Sequence, residues 1–430
     1  MPPIHRPRRP SRYRSFLADA MSTVAYGTGQ ISFQLGPGDS LTEREPSDGG
    51  TTWNTDRFLQ SLSKAGFDRF LSGGRLLVVI NDAFRSTPTG KILSQIAKVY
   101  PDFRGDFIVA CGNHPAPSAA DVSSILDGYR RPDESRVFFH NSRDFGSMAA
   151  VGTLDGYALH LNRLLFEYGA VLIIGSVEPH YFAGYTGGRK SLIPGLADVD
   201  STRRNHALAV SREAQPLRLE GNPVAEHLER MLALVKLPNL FSIQIVTGRN
   251  HQVLDCFCGD LQRSFAEAAA FSRQVYSFAA PQLFDIVIAE MRPPLDRNLY
   301  QMQKGIENTA AAVRDDGVMV VISACSEGVG NDEFLQLARR LQRPEAVLAQ
   351  AGTDQPPLGI HKLSRMVELS QRIRVKALTG LAPEIVRQVF IEPTASINDE
   401  LDGLRSGGRN HLDILLVRDA GMLVVQVERT

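Results

Sequence analysis

Val171-Leu-Ile-Ile-Gly-Ser-Val177 is an unbroken, partly β-branched apolar run that stops at Glu178-Pro179-His180 and passes into Gly184-Tyr-Thr-Gly-Gly-Arg-Lys190-Ser191. A strand with apolar residues at successive positions has no solvent face, so it belongs inside a parallel sheet covered on both sides. The polar residues that follow then sit at the carboxyl end of that strand, where open α/β sheets place their ligands. One connected loop thus gathers an amine (Lys190), an imidazole (His180) and glycine-exposed backbone amides, and a short helix beyond it carries a second imidazole, His206.

Working outward, similar runs recur at residues 76–80, 107–111, 137–139, 241–246, 286–289, 318–322, 373–378 and 414–417, with helical stretches between them. This alternation predicts an α/β fold. The expected architecture is two α/β domains with mostly parallel sheets and the active site in the cleft between them. Two further strand ends deliver polar residues: Asn81-Asp82-Ala-Phe-Arg85-Ser-Thr87-Pro88 after 76–80, and Gly112-Asn-His114 after 107–111. In the second half, Asp296-Arg-Asn298-Leu-Tyr300-Gln301-Met-Gln-Lys304-Gly305 follows a strand and leads into a helix. The boundary is expected near residues 272–281, giving domains 21–272 and 273–430, with allowance for the last strand to return to the first domain. A first strand is expected over residues 26–35.

Residues 1–20 carry Arg6, Arg8, Arg9, Arg12 and Arg14 among prolines, with no apolar segment after them. They read as a disordered basic arm rather than a signal peptide, and the protein as cytoplasmic. The chain has 430 residues, 43% hydrophobic and 22% charged, with 47 basic and 47 acidic residues. Zero net charge removes the electrostatic case for nucleic-acid binding. No apolar run approaches the roughly 20 residues of a membrane span. Four scattered cysteines make no disulfide framework. Cys256 and Cys258 with His251 form a weak metal pattern and otherwise read as core thiols.

Gly184 to Ser191 has the look of a P-loop, but that motif needs glycine before the lysine, and Arg189 stands there. Pro194-Gly195 also interrupts the helix that should follow at once. A phosphate resting on the Gly187 and Gly188 amides, with Thr87 beside it, remains in the reading. Three histidines, His114, His180 and His206, offer a zinc site with an open position. The adjacent lysine and arginine would repel a bare cation. A metal carried by an organic cofactor accommodates them better, and imidazole suits nickel as well as zinc.

The ordered series Val177-Glu-Pro-His180, Gly187-Gly-Arg-Lys190, Pro194-Gly195 and Asn205-His206 resembles the nickel-pincer-nucleotide lactate racemase family. Asp82-Ala-Phe-Arg85-Ser-Thr-Pro88, Gly112-Asn-His114, Gly221-Asn-Pro223, Tyr300-Gln301-Met-Gln-Lys304 and Cys325-Ser-Glu-Gly-Val-Gly330 extend the likeness in the same order. The resemblance implies racemisation or epimerisation of a 2-hydroxy acid by hydride transfer to and from a covalently attached cofactor. That cofactor is the nickel complex of pyridinium-3-thioamide-5-thiocarboxylic acid mononucleotide, joined to Lys190, with His206 as the protein ligand to nickel. His114 and His180 become alternating bases. Arg85, Gln301 and Lys304 orient the substrate, and Thr87, Gly187, Gly188 and Tyr300 contact the cofactor. Cofactor-maturation enzymes are the implied partners.

The chemistry asks for such residues. Imidazole, with an ordinary pKa of about 6.5, moves protons in both directions near neutrality. Arginine can grip a carboxylate through two parallel hydrogen bonds. A lysine is nucleophilic once its pKa is lowered, to which Arg189 could contribute. Asp82 reads either as the orienter of a cation or imidazole, or as a turn aspartate. One departure from the family pattern is Pro115, where arginine usually follows the histidine; proline restricts the residue before it and bears on substrate choice. Two other readings stay open: a zinc metallohydrolase using the same histidines, and a non-catalytic homologue that binds the cofactor.

Overall fold

The computed structural model describes residues 14–15, 20–47, 49–50, 53–85, 87–237, 239–248, 251–353 and 356–428. The basic arm expected over residues 1–20 lies outside them, except for Ala20 and the two-residue strand Arg14–Ser15. The chain folds into two compact units, Pro46–Ser277 with Asn331–Val367, and Met1–Glu45 with Phe278–Gly330 and Glu368–Thr430.

In the first unit six strands lie in the order Val253–Gly259, Leu240–Thr247, Ala170–Ser176, Leu76–Asn81, Asp106–Ala110 and Val137–Phe139. All neighbours are parallel except the edge pair at Val253–Gly259. Side chains alternate between faces with a period of two, and both faces are covered. Val78, Ile80, Leu172, Ile174, Ile243 and Ile245 enter one core; Leu77, Val79, Val171 and Ile173 enter the other. This two-sided burial explains the unbroken apolar run of Ala170–Ser176, every residue of which is buried. It also brings the ends of Leu76–Asn81 and Ala170–Ser176 side by side, with Ile80 opposite Ile174.

The second unit holds a sheet in the order Arg14–Ser15, Ser40–Arg44, Asp413–Val417, Phe284–Glu290, Val313–Ile322, Arg374–Leu378 and Glu392–Pro393. It is parallel apart from Arg14–Ser15. The strand expected over residues 26–35 is instead a hairpin, Met21–Tyr26 against Gly29–Gln34, because the chain reverses at Gly27, whose φ is +57°.

The linear division at about 272 matches only one of the crossings between units. Residues 20–45 go with the C-terminal part because Ser40–Arg44 pairs with Asp413–Val417, and Val24, Phe33 and Leu35 join the core of that sheet. Residues 331–367 cross back to the first unit. The last strand, Val424–Val427, pairs with Ser277–Ala280 rather than joining the six-stranded sheet.

Candidate active site

The loop after Ala170–Ser176 is fixed by its own hydrogen bonds. Thr186 N–H donates to the Glu178 carbonyl at 2.8 Å, Glu178 N–H to Thr186 Oγ1 at 2.9 Å, and Thr186 Oγ1 to the Ser176 carbonyl at 2.9 Å. Gly187 and Gly188 have φ of +69° and +53°. A Cβ at Gly188 would lie 2.5 Å from the Phe265 ring, and one at Gly187 only 2.7 Å from the Ser176 carbonyl oxygen. These glycines therefore let the loop press onto the sheet and the helix Leu261–Tyr276. Two of the expected phosphate contacts have protein partners. Gly188 N–H donates to Gln244 Oε1 at 2.7 Å, and the Thr87 hydroxyl is bound between Asn81 and Ser176.

Arg189 is 1% exposed. Its guanidinium lies 4.7 Å above the Phe265 ring, pairs with Glu229 at 3.1 Å and donates to the Ala183 carbonyl at 3.3 Å. Burial lowers its pKa to about 10, against the pull of Glu229. The packed guanidinium anchors the turn Gly188–Ser191, which carries Lys190.

At the neighbouring strand ends, Asp82 Oδ2 lies 2.6 Å from His114 Nδ1, while Asp82 Oδ1 accepts the Phe84 N–H at 3.1 Å. Asp82 thus orients an imidazole and closes a turn at once. Burial pushes its carboxyl up, but His114, Arg85 and the Phe84 N–H outweigh that and hold it below the usual carboxylate range. With Nδ1–H directed at the carboxylate, neutral His114 presents its lone pair at Nε2. The Phe84 ring packs edge-on against His114 at 4.8 Å. Arg85 Nη1 is 3.5 Å from Glu178 Oε2.

Phe182 is the hub of the remaining groups. Its ring centroid lies 4.5 Å from His180, 4.9 Å from His206, 5.1 Å from His361 and 4.6 Å from Tyr181, each in edge-to-face contact. Lys190 Nζ stands 5.4 Å over the same ring. Asn222, fully buried, holds this segment by donating to the Phe182 carbonyl at 3.0 Å while capping the helix Pro223–Leu232. His180 Nδ1 accepts the Ala183 N–H at 3.3 Å, so the neutral ring carries its proton on Nε2.

His206 comes from the helix Val199–Ala207, whose start is fixed by Asp198 accepting the Ser201 N–H at 2.7 Å. Burial, reinforced by the charge of Lys190, lowers the His206 pKa to about 3, so the ring is neutral. Its Nδ1 is buried without a hydrogen-bond partner among the described residues. A neutral imidazole with an unused lone pair suits a metal ligand. Among the described residues no group of three or more His, Cys, Asp or Glu side chains is arranged to hold a metal ion.

Tyr300, Gln301 and Lys304 lie on the helix Leu299–Thr309 of the other unit, capped by Asn298 accepting the Gln301 N–H at 3.0 Å. Gly330 lies so close to Asn298 that a Cβ there would be 2.3 Å away, and the Gly328 and Val329 carbonyls accept the Leu299 and Tyr300 N–H groups. This gives the Cys325-to-Gly330 turn its role: it caps that helix. Burial pushes the Tyr300 hydroxyl up to about 12. Gln301 Oε1 is buried without a hydrogen-bond partner among the described residues.

Sequence reading missed several groups in the first unit. His361 Nε2 is 3.1 Å from the Tyr181 hydroxyl, and Lys362 Nζ lies 4.7 Å over the Tyr181 ring. Both come from the helix Ile360–Ser370, far along the chain, and no local motif marks them. Glu178 lies inside the quoted motif and Phe182 just beyond it, but their contacts with Arg85, His206 and His361 come from other elements.

The Lactate racemase N-terminal domain model matches residues 26–216, and the Lactate racemase C-terminal domain model matches residues 280–424. The chain belongs to the lactate racemase family. This racemase-family chain is 24% identical over 363 residues to a lactate racemase of Thermoanaerobacterium thermosaccharolyticum, covering 82% of this chain and 84% of that protein. It is 26% identical over 283 residues to a lactate racemase of Lactiplantibacillus plantarum, covering 64% and 66%. Its fold matches the solved lactate racemase apoprotein from T. thermosaccharolyticum with a TM-score of 0.81 at 24% identity, over 95% of this chain and all of that one. A protein from Thermotoga maritima matches with a TM-score of 0.70 at 16% identity, over 89% of this chain and all of that one. Family membership supports a racemase. Among the described residues no helix of this chain is long and apolar enough to cross a membrane.

Proposed function

We propose that this chain racemises or epimerises a 2-hydroxy acid, using a nickel-pincer nucleotide attached at Lys190. The observation that carries the reading is the grouping on the Phe182 ring of a lysine, a buried neutral His206 with an orphaned nitrogen, and His180. These residues fit the group: Lys190 would hold it covalently and His206 would supply the one protein ligand to nickel. When bound, the cofactor supplies a reversible hydride acceptor.

The chain's own groups handle protons and orientation. His114, with Asp82 on Nδ1, is set to accept a hydroxyl proton at Nε2. His180, with Nδ1 accepting the Ala183 N–H, holds a hydrogen-bond donor at Nε2. To give a proton to the substrate oxygen it would act as the imidazolium, and to take one it would need a free lone pair at Nε2. Each state releases the Ala183 N–H from Nδ1, and the two histidines exchange these roles between the two directions. Arg85 grips the substrate carboxylate and keeps the acid oriented while its carbon flattens. Gln301 and Lys304 are proposed to orient the substrate, and Tyr300 to contact the cofactor. We place the enzyme in the cytoplasm, with the cofactor-building enzymes as partners. A zinc metallohydrolase would need several histidines converging on one ion. Here the Phe182 ring sits in edge-to-face contact with both His180 and His206, which speaks against that alternative.

The test is intact-mass and nickel analysis of protein made alongside the cofactor-building enzymes, followed by a 2-hydroxy acid screen. A nucleotide adduct and nickel on the wild type, both absent from Lys190→Ala, together with turnover of one acid, is the expected result. An unmodified wild-type chain under conditions that load a known lactate racemase overturns the reading. An adduct without turnover of any acid points to the non-catalytic homologue.

A further inference from the structure

We propose that Glu178 is a positioning residue that holds Arg85 for a carboxylate, at the end of a buried, one-way chain of hydrogen bonds. The inference rests on the 2-hydroxy acid reading above, in which Arg85 binds the substrate carboxylate.

The chain starts at Asn81, whose Nδ2 donates to Thr87 Oγ1 at 2.7 Å. Thr87 Oγ1 donates to Ser176 Oγ at 2.9 Å, and Ser176 Oγ donates to Glu178 Oε1 at 2.8 Å. The other carboxylate oxygen, Oε2, faces Arg85 Nη1 at 3.5 Å. Each hydroxyl accepts once and donates once, so every proton points toward Glu178, and the series ends on an acceptor that matches an ionised carboxylate. The backbone of Glu178 is also clamped on both sides by Thr186. Glu178 is 4% exposed, and Thr87 and Ser176 are also buried.

The arrangement is more than loop packing. It joins the ends of two adjacent parallel strands, Leu76–Asn81 and Ala170–Ser176, to one guanidinium. Arg85 keeps 21% side-chain exposure, whereas Glu178 behind it keeps 5%. A planar guanidinium with five N–H donors held from behind by a fixed carboxylate retains donors for a second, incoming carboxylate. Fixing it beforehand removes an ordering cost from binding. The same chain occupies the Thr87 hydroxyl and gives that residue a positioning task.

The test uses full-length protein without cofactor and lactate as the carboxylate probe, with affinity followed by NMR titration. Glu178→Gln is expected to weaken lactate binding about tenfold, and Ser176→Ala about threefold, with melting temperatures within a few degrees of wild type; Arg85→Lys should bind more weakly than either. In loaded enzyme with its preferred acid, Glu178→Gln should raise KM about tenfold while changing kcat less than threefold, with the Lys190 adduct intact. Lactate affinity of Glu178→Gln within twofold of wild type, while Arg85→Lys loses binding, overturns the positioning role and leaves the reading standing. No effect of Arg85→Lys on binding, or no lactate binding by wild type, overturns the carboxylate-holding role of Arg85 and with it the proposal, while the adduct and the acid screen decide the wider reading separately. If Glu178→Gln does not fold, Ser176→Ala decides alone: a fall in melting temperature with unchanged affinity makes the chain merely structural.

Discussion

Asp82 Oδ2 and His114 Nδ1 are 2.6 Å apart, in a pair that joins the ends of two adjacent parallel strands. The buried carboxylate holds the imidazole in one tautomer and orientation. Asp82→Asn removes the charge while preserving shape, and turnover should fall by roughly 10²–10³-fold with cofactor loading unchanged. Steady-state kinetics on adduct-bearing protein checks it. The native Asp82 pKa is depressed, so its contribution to stability is fully present above the ordinary carboxylate pKa of about 3.9 and is lost as pH falls through the native value. Melting temperatures of Asp82→Asn should therefore decline less steeply than wild type at the acid end of that range.

His140 should limit stability nearer neutrality. It is buried, with Nε2 donating to the Ala197 carbonyl at 2.9 Å and Nδ1 facing Asn162 Nδ2 at 3.4 Å, and burial lowers its pKa. The unfolded chain binds a proton at about pH 6.5 while the folded one does not, so stability falls as pH drops below that value. His140→Gln should flatten the dependence of melting temperature on pH between about 7 and 5.

His206→Ala separates the two attachments assigned to the cofactor. The nucleotide adduct on Lys190 should persist in the intact mass, while nickel content drops severalfold, because only the protein's ligand to the metal is gone. Equal loss of adduct and nickel would show that His206 is needed for attachment itself.

Phe182 carries a packing prediction. It is 2% exposed and touches three imidazoles. Phe182→Ala should cost about 3–5 kcal/mol and Phe182→Leu less, measured by urea unfolding. If Phe182→Leu folds well, loss of turnover with retained adduct would report misplacement of His180.

Gly188→Ala meets both a positive φ and the Phe265 ring. A loss of about 2–4 kcal/mol is expected from backbone strain and overpacking together. Thermal unfolding tests this, and Phe265→Leu in the same chain should recover part of the loss.

Parallel strands were legible because two-sided burial writes itself as consecutive apolar residues, as in Ala170–Ser176. Elements with one wet face were not: the hairpin Met148–Leu154 with Tyr157–Asn162 alternates partly exposed positions, and Val253–Gly259 carries Asp255 at a sheet edge. In the site, residue types at strand ends were readable, since a strand end aims its next residues at the same crevice. Their pairings were not. Gln244 takes the Gly188 amide from a strand more than fifty residues away, and Thr87 is claimed by Ser176. His361 and Lys362 sit on a helix whose buried face also holds Leu363, Met366 and Val367, so nothing local separates them from a packing helix.

The pairing of Ser40–Arg44 with Asp413–Val417 bears on how the protein is made. The early strand leaves the ribosome long before its parallel neighbour exists, and its antiparallel neighbour, Arg14–Ser15, spans only two residues. Its long edge stays unmatched through most of translation, exposing backbone groups that invite association with other chains. The six-stranded sheet has all its strands by residue 259 and can close first. Emergence of Asp413–Val417 is therefore the event that completes the second sheet, and truncation before Asp413 should yield aggregation rather than a smaller folded protein.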